Sequence, residues 1–328
     1  MADRPPVTGR SQTGMPPRIV FVAANPSIDR LYEVERLTVG SIHRPDLVVA
    51  VAGGKGLNAA RAALTLGASV TAIGIVGGRA GDWIVEQLAE TGLDARMARF
   101  DGETRTCVSI LDRSSGAMTE VYERGEKIEP GAWEALEAIL MLELERGDVA
   151  AVALSGSLPP GAPPAGHARL ARIATERSVR ILADTSGTSL AAVLPEHPEV
   201  VKLNTDEAGE TTGLSVVDAV SGAAAGRILR ERGAANAIVT LGVGGAVVVS
   251  ATDAIHLVPP DVRGSYPVGS GDAFLAGLAV GLVRGAKLVD AARLGVAAGT
   301  ANAELPGAGE LDATTVARHL DEITLAAV

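Results

Sequence analysis

Val268-Gly269-Ser270-Gly271-Asp272-Ala273-Phe274 opens a long Ala- and Leu-rich stretch whose spacing predicts a helix over 271–284. Small residues at a helix start leave backbone N–H groups free, and the helix dipole adds positive potential there. Gly269, Ser270 and Gly271 therefore form a candidate anion site. Asp272 on the first turn is placed to accept a proton beside a bound anion, as phosphoryl transfer requires. Taken alone, the same residues also describe a glycine-rich turn followed by a first-turn Asp.

Outward from that stretch the chain alternates short apolar runs with amphipathic segments. Helices are expected over 131–146, 164–177, 216–232, 287–303 and 312–325, and strands over 149–154, 180–184, 199–203, 236–241 and 246–250. Nearer the amino end, strands at 18–24 and 70–76 flank a helix at 56–66, and 83–90 is helical. Apolar strands alternating with amphipathic helices imply an α/β fold with a mostly parallel sheet covered on both faces. Two regions break the rhythm. Residues 30–51 and 105–123 show looser, two-residue alternation, the second around a Ser114-Ser115-Gly116 turn, and they are expected to pair as a small separate sheet, a lid. The expected organisation is a disordered tail at 1–17 and one domain over 18–328.

Composition narrows the function classes. The chain has 328 residues, a formal net charge of −10, 47% hydrophobic residues and only 2% aromatics. The core must rest on Ala, Val, Leu and Ile, and broad nucleic-acid binding lacks its basic footprint. Cys107 is the only cysteine and the five histidines show no metal-ligand spacing, which excludes an internal disulfide and a cysteine-based zinc cluster. Neither a signal-peptide apolar region nor a bilayer-length apolar run is present, so a cytoplasmic chain is expected.

Four further stretches carry chemistry. Gly53-Gly54-Lys55-Gly56-Leu57-Asn58 opens the 56–66 helix, where glycines admit a ligand close to the backbone and Asn58 can bond hydroxyls. It lacks the Gly-Lys-Ser/Thr of a Walker A loop, and Phe274 breaks any dinucleotide fingerprint at 269–274. Asn25-Pro26-Ser27-Ile28-Asp29 follows the first strand, at the strand end where open α/β sheets bind ligands; Asp29 there holds hydroxyls or caps a turn. Lys202-Leu203-Asn204-Thr205-Asp206-Glu207 places Asn204 and Glu207 three apart. They suit either a hydrated Mg²⁺ or a helix N-cap with its capping-box Glu. Thr240-Leu241-Gly242-Val243-Gly244-Gly245 and Ser155-Gly156-Ser157-Leu158-Pro159-Pro160-Gly161 are bends at strand ends that fit nucleotide contact.

Together, Asn-Pro-Ser-Ile-Asp, Gly-Gly-Lys-Gly-x-Asn, Ser-Gly-Ser-Leu-Pro-Pro-Gly and Gly-Ser-Gly-Asp, in this order over about residues 18–310, resemble the ribokinase-like sugar kinases. Within them they are similar to the phosphofructokinase-B branch, which acts on sugars that already carry a phosphate. The resemblance implies a ribokinase-like three-layer sandwich with a β-sheet lid, and ATP and Mg²⁺ as cofactors. It implies Asp272 as catalytic base with Gly269, Ser270 and Gly271 as the anion hole. Asp29, Gly53, Gly54, Lys55 and Asn58 would bind sugar. Lys202, Asn204, Glu207, Thr240, Gly242 and Gly245 would hold the nucleotide, with Asn204 and Glu207 reaching the metal through water. Arg105, with Arg44 and Lys55 in support, would clamp the substrate's own phosphate by a charge-assisted fork. Three matches are imperfect: Leu203 stands where the family has Pro, Ser270 where Ala is commoner, and Glu126 where the branch has Pro after Gly. Fructose-1-phosphate is the expected substrate, with tagatose-6-phosphate or fructose-6-phosphate as alternatives, and a homodimer through the lid is implied. A non-catalytic sugar or nucleotide sensor is the alternative from another class.

Overall fold

The computed structural model describes residues 16–262 and 264–328. Of the expected tail, residues 1–15 lie outside the described residues. The amino-terminal half contains β1 (Arg18–Ala23), β2 (Ser27–Val34), β3 (Leu47–Gly53), α1 (Lys55–Thr65), β4 (Ser69–Val76), α2 (Gly78–Glu90), β5 (Asp94–Arg99), β6 (Thr106–Asp112), β7 (Ala117–Tyr122) and α3 (Pro130–Glu145). There follow β8 (Val149–Ser155), α4 (Gly166–Thr175), β9 (Arg180–Asp184), α5 (Gly187–Val193), β10 (Val200–Asn204), α6 (Thr205–Thr212), α7 (Ala219–Glu231), β11 (Asn236–Thr240), β12 (Ala246–Val249) and β13 (Ala254–Val258). The chain closes with α8 (Ser270–Val283), α9 (Leu288–Asn302), α10 (Ala313–Glu322) and β14 (Thr324–Ala327).

The large sheet runs β14-β13-β12-β11-β10-β9-β8-β1-β4-β5. Pairing is parallel from β5 through β11, and antiparallel across β11, β12, β13 and β14. Every residue of β1 is buried. Ile19 and Phe21 join the core beneath α1, α2, α8, α9 and α10, whereas Val20 and Val22 join the core beneath α3, α4, α5, α6 and α7. That alternation is the signature of a strand covered on both faces. At the far end of β1 the guanidinium of Arg18 bonds both oxygens of Asp148 at 3.1 and 2.8 Å, a buried structural pair remote from the strand's carboxyl end.

A core short of aromatics is closed by bringing backbones together. A Cβ on Gly277 of α8 would lie 2.5 Å from the Leu294 carbonyl oxygen of α9, and one on Gly281 would lie 2.7 Å from Ala291 Cα. α8 is buried from Asp272 through Val283, as an all-round apolar helix must be.

The two irregular regions form the expected second sheet, ordered β3-β2-β6-β7. It begins at Ser27, earlier than residue 30, so Asp29 lies on a lid strand, and residues 35–46 form a loop between β2 and β3. Other expectations need correction. The last helix does not run to residue 325: it ends at Glu322, and Thr324–Ala327 turns back to pair with β13. β5, α5 and β13 had no counterpart in the sequence reading. β5 reads Asp-Ala-Arg-Met-Ala-Arg, an edge strand whose charges hide its alternation.

Candidate active site

Moving outward from β1, the sheet order reverses between β8 and β4, and ligands of open α/β sheets bind at the strand carboxyl ends near such a reversal. Ser155, Asp184, Asn204 and Thr240 are the last residues of β8, β9, β10 and β11. Ser155, Asn204 and Thr240 line a cleft of about 1270 Å³ between the large sheet and the lid, with Asp184 buried behind its wall.

The start of α8 forms the floor. Its N-cap, Gly269, has φ 87°, and a Cβ there would lie 2.5 Å from the Gly309 nitrogen, so both conformation and space demand glycine. Asn302, wholly buried at the end of α9, fixes this turn: its amide donates to the Val268 carbonyl at 3.0 Å, and its oxygen accepts the Gly309 N–H at 2.7 Å. The Ser270 N–H donates to the Pro267 carbonyl, and those of Asp272 and Ala273 to the Gly269 carbonyl. Among the described residues this leaves the Gly269 and Gly271 N–H groups as the donors of this turn without a backbone acceptor, two of the three residues expected of the anion site. Lys202 supplies charge beside it: a Cβ on Gly271 would lie 2.9 Å from Lys202 Nζ.

Asp272 projects from the first turn of α8 into the cleft and is almost fully buried. Burial, together with the charge of Asp184, pushes its carboxyl up to about 7 against the opposing pull of Lys55, Asn58 and Lys202. A carboxyl poised near neutrality suits proton acceptance. Its Oδ2 accepts from Asn58 Nδ2 at 3.0 Å, and the same nitrogen donates to Asp29 Oδ2 at 3.2 Å. Asp29 is further held by the Gly54 N–H at 3.0 Å and the Ser27 hydroxyl. A Cβ on Gly53 would fall 2.2 Å from the Asp29 carboxyl, which explains that glycine; Gly53 itself does not line the cleft.

The far wall is ionic. Asp184 is fully buried, and Lys202 Nζ lies 2.9 Å from its Oδ2. Lys55 Nζ lies 3.3 Å from its other oxygen and 2.9 Å from Glu207 Oε1. Burial alone would raise the Asp184 carboxyl, but Lys202 and Lys55 hold it below the usual carboxylate range. Lys55 is raised: burial opposes its charge, and Asp184, Glu207 and Asp272 outweigh that. Asn204 and Glu207 form the capping box of α6, with Asn204 Oδ1 accepting the Glu207 N–H at 2.8 Å and Glu207 Oε2 accepting the Asn204 N–H at 3.0 Å. Capping and ligand binding are compatible here, because both side chains also line the cleft. A carboxylate and an amide oxygen are hard donors that fit a hydrated Mg²⁺ bridged to phosphates. No group of three or more His, Cys, Asp or Glu among the described residues forms a complete protein cage.

Thr240, paired with Asn204 across β10 and β11, lines the cleft together with Gly242, Val243 and Gly245. Arg105 lines the mouth, where its guanidinium donates to the Asn25 carbonyl at 3.0 Å and the Glu123 carbonyl at 3.0 Å. Arg44 is exposed in the loop between β2 and β3 and is not part of the lining. Sequence reasoning missed Asp184, Arg61 and Asn302. The available signal was a single charged or amide residue in an otherwise apolar run, such as Arg61 within Ala59-Ala60-Arg61-Ala62-Ala63. Among the described residues no helix is long and apolar enough to cross a membrane.

A proton acceptor beside a helix N-terminus, with two lysines behind it, is the outline of a phosphotransferase acting on an alcohol. The model of the pfkB family carbohydrate kinases matches residues 22–315, and the chain belongs to that family. The 1-phosphofructokinase of Rhodobacter capsulatus is 34% identical over 280 residues, 85% of this chain and 88% of its own. A tagatose-6-phosphate kinase of Staphylococcus epidermidis is 33% identical over 270 residues, 81% and 85% of the two chains. Phosphofructokinase-2 from Escherichia coli, solved in complex with substrates and products, superposes with a TM-score of 0.84 at 27% identity, over 94% of this chain and 99% of that one. The ribokinase-like architecture expected from the sequence is the one found.

Proposed function

We propose that this chain transfers the γ-phosphoryl of ATP to a hydroxyl of a sugar phosphate in the cytoplasm, with fructose-1-phosphate as substrate and fructose-1,6-bisphosphate as product. The observation that carries the reading is the shared amide of Asn58. It ties a carboxyl poised near 7, Asp272, to a second carboxylate on the lid, Asp29. Asp29 accepts from sugar hydroxyls and orients the one that reacts. Asp272 takes that hydroxyl's proton as the oxygen bonds to the γ-phosphorus and the bond to the β-phosphate oxygen breaks, releasing ADP. The Gly271 N–H and the Lys202 ammonium stabilise charge on the moving phosphoryl. Glu207 and Asn204 would hold a hydrated Mg²⁺, which would supply charge neutralisation at the nucleotide phosphates. Gly242 and Gly245 bring backbone close to the nucleotide. Lys55 supports the phosphate groups, and Arg105 exchanges backbone carbonyls for the phosphate already on the sugar.

Similarity to a 1-phosphofructokinase at 34% identity favours fructose-1-phosphate, and the tagatose-6-phosphate kinase at 33% keeps that sugar as the second reading. The deciding experiment measures ADP release with fructose-1-phosphate, tagatose-6-phosphate, fructose-6-phosphate and free fructose. The expected order places fructose-1-phosphate first, and a preference for free fructose would defeat the sugar-phosphate reading. The lid exposes Val48 and Val121, an apolar surface suited to pairing two lids in a homodimer. Light scattering on the wild type and on Val121→Asp tests that pairing, and equal masses would remove it.

A further inference from the structure

Arg61 belongs to α1, one turn beyond Asn58, and its side chain is buried. Its guanidinium reaches four places. Nη1 donates to the Ala52 carbonyl of lid strand β3 at 2.8 Å, and Nη2 to Asn58 Oδ1 at 3.0 Å. Nη2 also donates to the Ala308 carbonyl, in the loop packed on Gly269, and Nε lies 2.9 Å from Glu310 Oε1. Burying a guanidinium is costly, and these acceptors with the Glu310 carboxylate offset that cost. A reason to retain it follows from hydrogen-bond chemistry. Arginine only donates and an ionised carboxylate only accepts. The Asn58 amide stands between these two kinds of group. With its oxygen on Arg61, its two N–H bonds meet Asp29 and Asp272. Turned over, the amide would set N–H against N–H on one side and oxygen against two carboxylates on the other.

We propose that Arg61 is a positioning residue for catalysis: it locks the orientation of the Asn58 amide, and through it aligns Asp272 with Asp29 across the lid boundary. The lock joins three bodies at one point, the lid through Ala52, the α1 turn through Asn58 and the α8 turn through Ala308. It also places a fixed positive charge behind the amide. The other charged groups facing Asp272 are Asp184 on β9, Lys55 on α1, Lys202 on β10 and Asp29 on β2; none of these holds the amide oxygen of Asn58.

This inference rests on Asp272 being the base, so the test carries a readout independent of turnover. The variants are Arg61→Met and Arg61→Lys. The readouts are kcat and KM against pH for fructose-1-phosphate, and the carbon-13 titration of the Asp272 carboxyl in unliganded protein, assigned with Asp272→Asn. In Arg61→Met, kcat is expected to fall about 10–100-fold, the scale seen when groups that orient a reacting residue are removed. Losing a nearby cation and an aligned donor favours the neutral acid, so the Asp272 titration should move to higher pH, and the acid limb of kcat with it. KM for ATP should hold. Arg61→Lys, which keeps the charge and a donor, should recover part of both effects, and it serves as the test variant if Arg61→Met does not fold. In the background of Asn58→Ala, removing Arg61 should cost little more, because the two act as one unit. A folded variant with unchanged Asp272 titration and kcat, or losses that multiply in the double variant, would overturn the proposal. If the wild type phosphorylates none of the sugars, the kinase reading of the base fails, and the carboxyl titration still decides whether Arg61 acts on Asp272.

Discussion

Lys202 and Asp184 form a buried ion pair of 2.9 Å between the neighbouring strands β10 and β9. The second oxygen of Asp184 receives Lys55 from across the cleft, so one carboxylate fixes two ammonium groups around the place where phosphates would lie. Removing it as Asp184→Asn leaves Lys202 charged and buried without its partner. Breaking a buried pair by removing one member costs about 3–5 kcal/mol. The loss should appear as a lower midpoint in urea unfolding. An unchanged midpoint would mean that water already shares the pair. Because Asp184 also raises Asp272, the same variant should move the acid limb of activity to lower pH.

Asp272 links activity and stability to pH in opposite senses. Its carboxyl is raised from 3.8 to about 7 in the folded protein. A group bound more tightly to its proton when folded stabilises the fold below its unfolded pKa, and that contribution is lost as pH rises through the folded value. Stability from this group should therefore decline between pH 4 and 7, by an amount on the order of a few kcal/mol. Activity should rise over the same approach to neutrality, as the base ionises. Asp272→Asn should lower kcat about 10²–10⁴-fold while preserving ATP binding, and should flatten the stability profile. Near-normal turnover in this variant would remove the carboxyl from the mechanism.

Glu207→Gln separates capping from metal handling. Glutamine still accepts a hydrogen bond from the Asn204 N–H, so the α6 cap should survive, and the substitution should cost no more than about 1 kcal/mol. The charge is lost. The Mg²⁺ concentration for half-maximal rate should rise several-fold, and titration of the rate with Mg²⁺ checks it. An unchanged requirement would restrict Glu207 to its helix and to Lys55.

Arg105→Ala should raise KM for fructose-1-phosphate strongly and leave KM for ATP near its original value. The preference for phosphorylated over free fructose should narrow, since the lost contact exists only for the phosphate. Arg105→Lys should restore part, because an ammonium keeps charge without the planar fork. Comparing kcat/KM across the two sugars in all three proteins is the measurement. A preference retained in both variants would place the phosphate elsewhere.

Glycine made most of the cleft legible. Gly53 and Gly269 sit where a methyl group would strike Asp29 or the Gly309 backbone, and such positions cluster into recognisable short stretches. The alternating strands were legible for a similar reason, since covered faces demand apolar runs. Asp184 and Arg61 carried no such mark. Their meaning comes from partners on other elements: Lys202 and Lys55 for one, Ala52, Asn58 and Ala308 for the other. Asn58 was readable as a polar residue on a helix start. Its bond to a carboxylate 214 positions away was not, because only the folded sheet sets that distance. β14 was hidden because Ile323 and the exposed Thr324–Ala327 continue the composition of α10, and only pairing with β13 turns them into a strand.

The close seating of α8 on α9 has a consequence for how such an enzyme can be changed. Gly277, Gly281 and Gly295 bring the two helix backbones so near that α8 has no room to slide or tilt. Its first turn, with Asp272, is a fixed reference against which everything else is set. Asp29 and Arg105 stand instead on or beside the four-stranded sheet, which is tied to that reference through the Asn58 amide and the Arg61 guanidinium. A redesign of sugar preference would therefore have its freedom on β6 and β7, whereas Asp29 on β2 and Ala52 on β3 would have to keep their register with the α8 turn.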